Sequence, residues 1–328
     1  MNVVHLSDSL MSAAPYRLAQ IQRAHGLNAR VINGETCTNG GPRQRAYPLD
    51  LLNADPEPVL RPVLEAADVV HYHHRWRDSE LFAAHPWAWD VVKDKPSLVQ
   101  FHVPRTPRIE AILRESTMTS LVVAQYHVRM YPESIPVQNA VPIDDEYHRP
   151  LGVRNDPPVV AFTPPDCQAG GWWDKGCRPT MEVLSRGFRH RVVTDCSWRE
   201  AMLARQVCDV AIDEVVTGSY HMCSLESLSQ GLATVAGLDA RTVDALEQVT
   251  GTREHPWVVA TPETLHRKLT ELVSDPDYLQ AKRDESRAYM VRHWDPAALV
   301  ARFRAIYEGV ADRHGSGDRM TNEVMANG

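Results

Sequence analysis

The stretch Ser224-Leu-Glu-Ser-Leu-Ser-Gln-Gly-Leu-Ala-Thr-Val-Ala-Gly237 says most about the fold of this chain. Its small and apolar residues predict a short helix opened by Glu226, which Gly231 ends, and the run after it predicts a strand. That order places Glu226 at a helix mouth beside a cleft. A carboxylate there can accept hydrogen bonds from both hydroxyls of a vicinal diol, as in ribose recognition. The helix macrodipole alone would also explain an acidic residue at this position.

Short apolar runs alternate with amphipathic stretches in both halves of the 328-residue chain. Strands separated by helical crossovers are typical of a parallel sheet wrapped by helices, and this length fits two domains. We therefore predict an α/β fold of two Rossmann-like, doubly wound domains that face an interdomain cleft. The predicted strands are residues 3–6, 29–32, 69–72, 98–102, 121–124 and 137–141, then 159–162, 191–194, 210–213, 233–236 and 257–259.

A polar, proline-rich segment at residues 145–158 predicts a linker between the domains. The first domain is expected to span 1–150 and the second 151–292. Apolar spacing in residues 262–307 predicts closing helices, and the last one, at about 293–311, should cross back to the first domain. Residues 312–328 lack apolar periodicity, so we expect a mobile tail.

Composition narrows the class of protein. The net charge of -7 does not supply the basic face of a long nucleic-acid footprint, although a local patch remains open. No apolar run is long enough to span a membrane, so no integral membrane contact is expected. The N-terminus lacks a secretory signal, which predicts a cytoplasmic protein. The six cysteines form no C-x-x-C pair, so we expect reduced thiols and no metal site.

Two segments of the first half could bind a ligand where a strand ends. Ser12, Ala13 and Ala14 lead into a proline-started helix, where small residues let an anion approach backbone N–H groups. His102 ends an apolar run and can donate to a sugar hydroxyl or a phosphate. An ordinary strand-to-helix loop and a structural histidine are the alternatives.

Basic residues near these segments could face an acceptor that carries phosphate or a ring. His73 and Arg75 lie in the dense stretch 71–77, and Arg105 follows His102. In the second half, Lys175 could neutralise the diphosphate of a departing nucleotide without a metal ion. Solvated loops explain these residues equally well.

Together these segments resemble the retaining glycosyltransferases with the GT-B fold, specifically family 4, also called glycosyl transferases group 1. The resemblance covers nearly the whole chain. It rests on the Glu226 segment, on Asn139-Ala-Val-Pro-Ile-Asp-Asp-Glu-Tyr-His-Arg-Pro150, on the two histidine-bearing strand ends, and on the terminal helices at 287–307.

The resemblance implies a metal-independent enzyme that moves a sugar, with retention of anomeric configuration, from a UDP- or GDP-linked sugar to an acceptor hydroxyl. That donor would be a co-substrate, and no cofactor is expected. Glu226 would bind the ribose, Lys175 the diphosphate and His102 the transferred sugar, with residues 12–14 under the donor. The donor site would also include Gly218, Ser219, Tyr220, Ser224 and Leu225, and the acceptor would meet His73, Arg75 and Arg105.

Two departures from the family pattern keep alternatives open. Gly218 stands where the family usually has a second glutamate, and Thr163-Pro-Pro follows Phe162 where an arginine is common, a role that Arg178 or Arg199 could take. One alternative is a non-catalytic subunit that binds a nucleotide sugar or a partner. Another is a glycosyltransferase for hydroxymethylated bases in DNA. The acceptor could be a glycoconjugate, a small molecule or modified DNA.

Overall fold

The computed structural model describes residues 1–9, 13–34, 50–164 and 175–314. The chain divides into two compact units: unit 1 holds residues 1–140 and the residues from Pro296, and unit 2 holds Val141–Asp295. The division falls before the proline-rich segment because Val141 and Ile143 are buried in a core cluster of unit 2. In the expected tail, the last helix runs to Asp312, and residues 315–328 lie outside the described part.

Unit 1 is built on a parallel sheet. Its described strands pair in the order β3-β2-β1-β4-β5-β6-β7. The chain moves outward from β1 to β3 and returns to the other side of β1 at β4, so the loops after β1 and β4 diverge at a switch point. The strands are β1 Asn2–Ser7, β2 Asn28–Asn33, β3 Leu51–Leu52, β4 Val69–His73, β5 Ser97–Phe101, β6 Thr119–Val123 and β7 Ile135–Val137.

Helices cover both faces of this sheet, which explains why its strands read as continuous apolar runs. The first and last helices of the chain, α1 and α12, pack on one face with Val3, Val69 and Leu98 beneath them. The predicted return of the last helix to the first domain is therefore confirmed. The helices are α1 Ala14–Ala24, α2 Glu57–Glu65, α3 Glu80–Ala84, α4 Pro86–Val92, α5 Pro107–Glu115, a short 3-10 helix Tyr126–Met130, and α12 Pro296–Asp312.

Unit 2 repeats this architecture with a smaller parallel sheet. Its described strands pair in the order β12-β11-β10-β8-β9, which places the switch point between β8 and β10. The strands are β8 Val160–Phe162, β9 His190–Val192, β10 Val210–Ile212, β11 Ala233–Ala236 and β12 Val258–Val259. The helices are α6 Cys177–Leu184, α7 Trp198–Gln206, α8 Met222–Ser229, α9 Ala240–Thr250, α10 Leu265–Ser274 and α11 Pro276–His293.

The segment that predicted the fold forms a helix followed by a strand. Gly231, with φ 69°, follows the end of α8, and residues 233–236 form β11, as predicted. The prediction that Glu226 opens the helix is wrong: α8 begins at Met222, with His221 as its N-cap, so Glu226 lies in the middle of the helix. The macrodipole therefore does not account for this carboxylate, because the effect falls off after the first turn.

Two further observations bear on the sequence predictions. Cys177 is disulfide-bonded, contrary to the expectation of reduced thiols, whereas Cys196, Cys208 and Cys223 are free. Within the described ranges, no helix combines the length and apolarity that a bilayer crossing requires.

Candidate functional site

The C-terminal edge of the unit 2 sheet gathers the predicted donor residues around the loop from β10 to α8. Two carboxylates shape this loop. Glu214 accepts hydrogen bonds from the backbone N–H groups of Val216 and Thr217, both at 2.8 Å, and Asp213 accepts from the backbone N–H of His221 at 2.6 Å. Both carboxylates accept hydrogen bonds from backbone N–H groups of the loop, so they do not act as an acid/base pair.

Glu226 lies in α8, the helix that follows this loop, and both of its carboxylate oxygens accept hydrogen bonds. Its Oε1 accepts a hydrogen bond from Nε1 of Trp198 at 2.8 Å, and its Oε2 accepts one from the guanidinium of Arg205 at 2.5 Å. The residue is 5% exposed. A buried carboxylate needs such partners to remain charged, so Trp198 and Arg205 fix the orientation of Glu226.

The guanidinium of Arg205 makes two contacts besides the one with Glu226. It contacts Sδ of Met202 at 2.7 Å and Sγ of Cys223 at 2.8 Å. Burial, the largest single influence, lowers the pKa of Arg205, but Cys223 and Glu226 outweigh it and raise the pKa above its usual range. Arg205 is therefore a fixed positive charge beside Glu226.

Trp198 and Arg205 were missed by the sequence predictions. They share one face of α7 with Met202, at the i, i+4, i+7 spacing of a buried helix face, and this spacing was the available signal. Arg199, suggested instead as a substitute for the family arginine, lies over the ring of Tyr147 at 5.9 Å.

The other predicted donor residues lie inside unit 2. Gly218 has a φ of 75°, and its carbonyl accepts from the hydroxyl of Thr242 at 2.7 Å. Tyr220 stacks on Trp257 with ring centroids 5.0 Å apart, and Nε1 of Trp257 donates to the hydroxyl of Ser224 at 2.6 Å. Donor contacts by these side chains are not supported, and contacts from this loop would come from its backbone. The fully or almost fully buried members are Ser219, Tyr220, Ser224 and Leu225.

Lys175 belongs to the same edge. It precedes α6, is half-buried, and has a φ of 49°. Burial is the largest influence on Asp213 and raises its pKa, but His221 and Lys175 together outweigh burial and lower that pKa. The charge of the Lys175 ammonium group thus acts on Asp213, at the start of the loop that follows β10.

The described candidate residues of unit 1 differ in exposure. His73 is 1% exposed and pairs with His5 and His102, so its predicted contact with an acceptor is not supported. Ala13 is buried, with a φ of 62°, and Ala14 begins α1. Ser12 lies outside the described residues. His102 is half-buried just after β5.

The basic residues expected to face an anionic acceptor are paired with carboxylates. Nε of Arg75 lies 3.1 Å from Oδ2 of Asp8, and Arg105 contacts Glu110 at 2.6 Å and Glu133 at 2.9 Å. These contacts compensate the charges, so neither arginine forms a local basic patch of the kind that DNA binding requires.

A cluster of buried histidines lies on the α1/α12 face of the unit 1 sheet. Ring nitrogens of His5, His71 and His73 come within 4.8 Å of one another, a spacing that could suit a metal ion. However, Nδ1 of His5 and Nε2 of His73 pair with each other at 3.1 Å. The rings of His71 and His73 stack with an interplanar angle of 18°, so their in-plane lone pairs do not converge on one point. The arrangement fits a hydrogen-bonded cluster better than a metal centre.

No family model and no curated protein matches the chain. Solved structures do match in fold. A glycosyltransferase from Rickettsia africae ESF-5 aligns with a TM-score of 0.61 at 11% identity, covering 94% of this chain and 98% of that one. HepE of Anabaena, solved with UDP and glucose, aligns with a TM-score of 0.57 at 12% identity, covering 94% and 100%. Sucrose-phosphate synthase from Thermosynechococcus elongatus aligns with a TM-score of 0.56 at 12% identity, covering 94% and 99%. The fold of this chain is therefore GT-B, the glycosyltransferase fold.

Proposed function

We propose that the protein is a retaining, metal-independent glycosyltransferase that moves a sugar from a UDP- or GDP-linked donor to an acceptor hydroxyl. The observation that carries this proposal is Glu226, a buried carboxylate oriented by Trp198 and Arg205 on the helix that follows β10, one of the two strands at the switch point of a GT-B unit. Ligands of doubly wound sheets bind at that position. HepE, which shares the fold, was solved with UDP and glucose.

Glu226 is suited to a ribose diol because of its chemistry. An ionised carboxylate accepts about four hydrogen bonds in total. Each carboxylate oxygen can accept more than one hydrogen bond, so the contacts to Trp198 and Arg205 do not by themselves exclude the 2′- and 3′-hydroxyls of a nucleotide. Because both contacts hold the carboxylate in place, little side-chain freedom is lost when the diol binds.

Lys175 would supply charge stabilisation during transfer. As the acceptor oxygen bonds to the anomeric carbon, the bond to the diphosphate breaks, the leaving nucleotide takes the electron pair, and the proton of the acceptor hydroxyl passes to the leaving diphosphate oxygen. An ammonium group at this edge stabilises that negative charge without a metal ion. The protein otherwise contributes positioning of the two substrates. No cofactor is needed, and we place the reaction in the cytoplasm.

A donor panel tests this function. The full-length protein is incubated with UDP- and GDP-linked sugars and a set of hydroxyl acceptors, and mass spectrometry follows the nucleoside diphosphate and the glycosylated product. We expect release of the nucleotide with one donor and a product that keeps the anomeric configuration. A Lys175→Met variant should still bind the donor and turn it over more slowly.

The second candidate is a non-catalytic protein that binds a nucleotide sugar. Gly218 favours this candidate, because it stands where the family usually has a second glutamate and cannot readily be replaced by one. Its backbone is in the left-handed region, and a Cβ there would lie 2.8 Å from Oδ2 of Asp239. Binding of a donor with neither transfer nor hydrolysis would select this candidate. Binding of no nucleotide sugar would refute both.

A further inference from the structure

One continuous hydrogen-bonded chain links the interior of unit 1 to His102. Oε1 of Gln22 lies 2.8 Å from Nε2 of His5, Nδ1 of His5 lies 3.1 Å from Nε2 of His73, and Nδ1 of His73 lies 3.2 Å from Nε2 of His102. Gln22, His5 and His73 are at most 1% exposed. The rings of His5 and His73 thus each use one nitrogen toward the previous member and the other nitrogen toward the next.

The imidazoles of this chain are neutral. Burial is the main cause of a pKa of about 4 for His5 and lowers the pKa values of His73 and His102 well below the usual range. A neutral imidazole carries one N–H donor and one acceptor nitrogen, so fixing one nitrogen fixes the other. The tautomer at one end of the chain therefore determines the tautomer at the other end.

Gln22 sets the direction of the chain. Because its carbonyl oxygen accepts only, His5 must carry its hydrogen on Nε2 and accept at Nδ1. His73 must then donate from Nε2 and accept at Nδ1, and His102 must donate from Nε2. The same reasoning leaves Nδ1 of His102 as an acceptor.

A second branch from Gln22 starts at the amide nitrogen and agrees with this orientation. Nε2 of Gln22 donates to the hydroxyl of Tyr307 at 2.8 Å, and that hydroxyl lies 3.0 Å from Nδ1 of His71. The Tyr307 hydroxyl then donates to His71, whose hydrogen is on Nε2. Burial chiefly lowers the pKa of His71, and the neighbouring side chain of Gln100 raises it.

We propose that Gln22 is a positioning residue that holds His102 in its Nε2–H tautomer through His5 and His73, leaving Nδ1 as a hydrogen-bond acceptor for a sugar hydroxyl. The choice of ligand rests on the proposed function, whereas the tautomer does not. An acceptor nitrogen binds a hydroxyl and cannot bind a phosphate oxygen, which also only accepts. This assigns His102 a narrower role than the sequence did, since donation to a hydroxyl or phosphate is excluded.

The tautomers can be read directly by NMR on the full-length protein labelled with 15N-histidine. In neutral histidine the protonated and unprotonated nitrogens resonate far apart, and single His→Asn variants assign the signals. At pH 7.5 we expect His5, His71, His73 and His102 all to be Nε2–H tautomers. An Nδ1–H tautomer at His102 in the unsubstituted protein overturns the proposal, and this measurement needs no destabilising variant.

Substitution of Gln22 tests its role as the anchor. In Gln22→Met the direction of the chain is no longer set, so His102 should show both tautomers, while Gln206→Met, the same change at a buried site of unit 2, should leave the signals unchanged. A single Nε2–H state of His102 in Gln22→Met would show that another group sets the tautomer. Equal populations would halve the competent fraction and raise the apparent Kd for a nucleotide sugar about twofold.

Ligand titration separates the two parts of the proposal. UDP-glucose or GDP-mannose should shift the Nδ1 signal of His102, and UDP or GDP alone should not. A shift with the nucleotide alone, or no shift with a sugar that binds, would refute the hydroxyl contact. The tautomer measurement stands whether or not the protein transfers sugar, so its failure is distinguishable from failure of the proposed function.

Discussion

Replacement of Glu226 by alanine is expected to destabilise unit 2, and not only to remove a ligand contact. The side chains of Glu226 and Arg205 are 6% and 3% exposed, and they form a buried ion pair at 2.5 Å. Removing one partner of such a pair leaves a buried, uncompensated charge and costs about 3–5 kcal/mol. For a unit of this size, that corresponds to a fall in Tm of roughly 6–20 °C.

The double variant Arg205→Met with Glu226→Met distinguishes the pair from the packing around it. Apolar residues of similar volume often replace a buried ion pair at little cost, so the double variant should be more stable than Glu226→Ala by about 2 kcal/mol or more. Urea unfolding of the full chain, followed by tryptophan fluorescence and circular dichroism, measures both. A loss below about 1 kcal/mol in Glu226→Ala would contradict the reasoning.

Three further outcomes are expected. Because His5 and His74 have folded-state pKa values of about 4 and about 3, against 6.5 when unfolded, the unfolded state binds protons first on acidification. Each histidine should therefore lower the free energy of unfolding by about 2 kcal/mol between pH 7 and pH 5. Asparagine tolerates the φ of 65° at residue 74, so the variant His74→Asn should lose less stability over this pH range in urea unfolding. An unchanged pH dependence in this variant would contradict the reasoning. Gly218→Glu should lower stability by about 1–2 kcal/mol or more without increasing transfer, since it strains the backbone and displaces Asp239; higher activity in the donor assay would contradict this. Trp198→Phe should cost about 1 kcal/mol or more in thermal unfolding because one hydrogen bond to Glu226 is lost, and wild-type stability would argue against that bond.

The sequence predicted the fold well because buried parallel strands are continuous apolar runs. Runs such as 69–72 and 233–236 match β4 and β11 closely, and the turn after α8 follows from Gly231. The two-residue strand β3 was missed because its length gives no periodic pattern. The predicted strand at 137–141 is β7, Ile135–Val137, since Val141 packs in unit 2 instead.

The site was less predictable because its contacts are distant in sequence. Gln22 and Tyr307 are 285 residues apart, and Arg205 and Glu226 are 21 apart. A histidine at a strand end predicts a polar contact, but neither its partner nor its tautomer can be read from the chain. For the same reason, the carboxylates opposite Arg75 and Arg105 could not be identified in advance, and both arginines were expected to face a ligand.

The central claim is that the carboxylate of Glu226 binds the ribose diol of a nucleotide, and a change in the ligand tests it without disturbing the protein. Calorimetry compares the full-length protein with UDP or GDP and with the matching 2′,3′-dideoxy nucleotide. A hydrogen bond to a charged group contributes about 1.5–3 kcal/mol, so loss of the diol should weaken binding at least roughly tenfold. Equal affinity for the two nucleotides, or binding of neither, would contradict the claim.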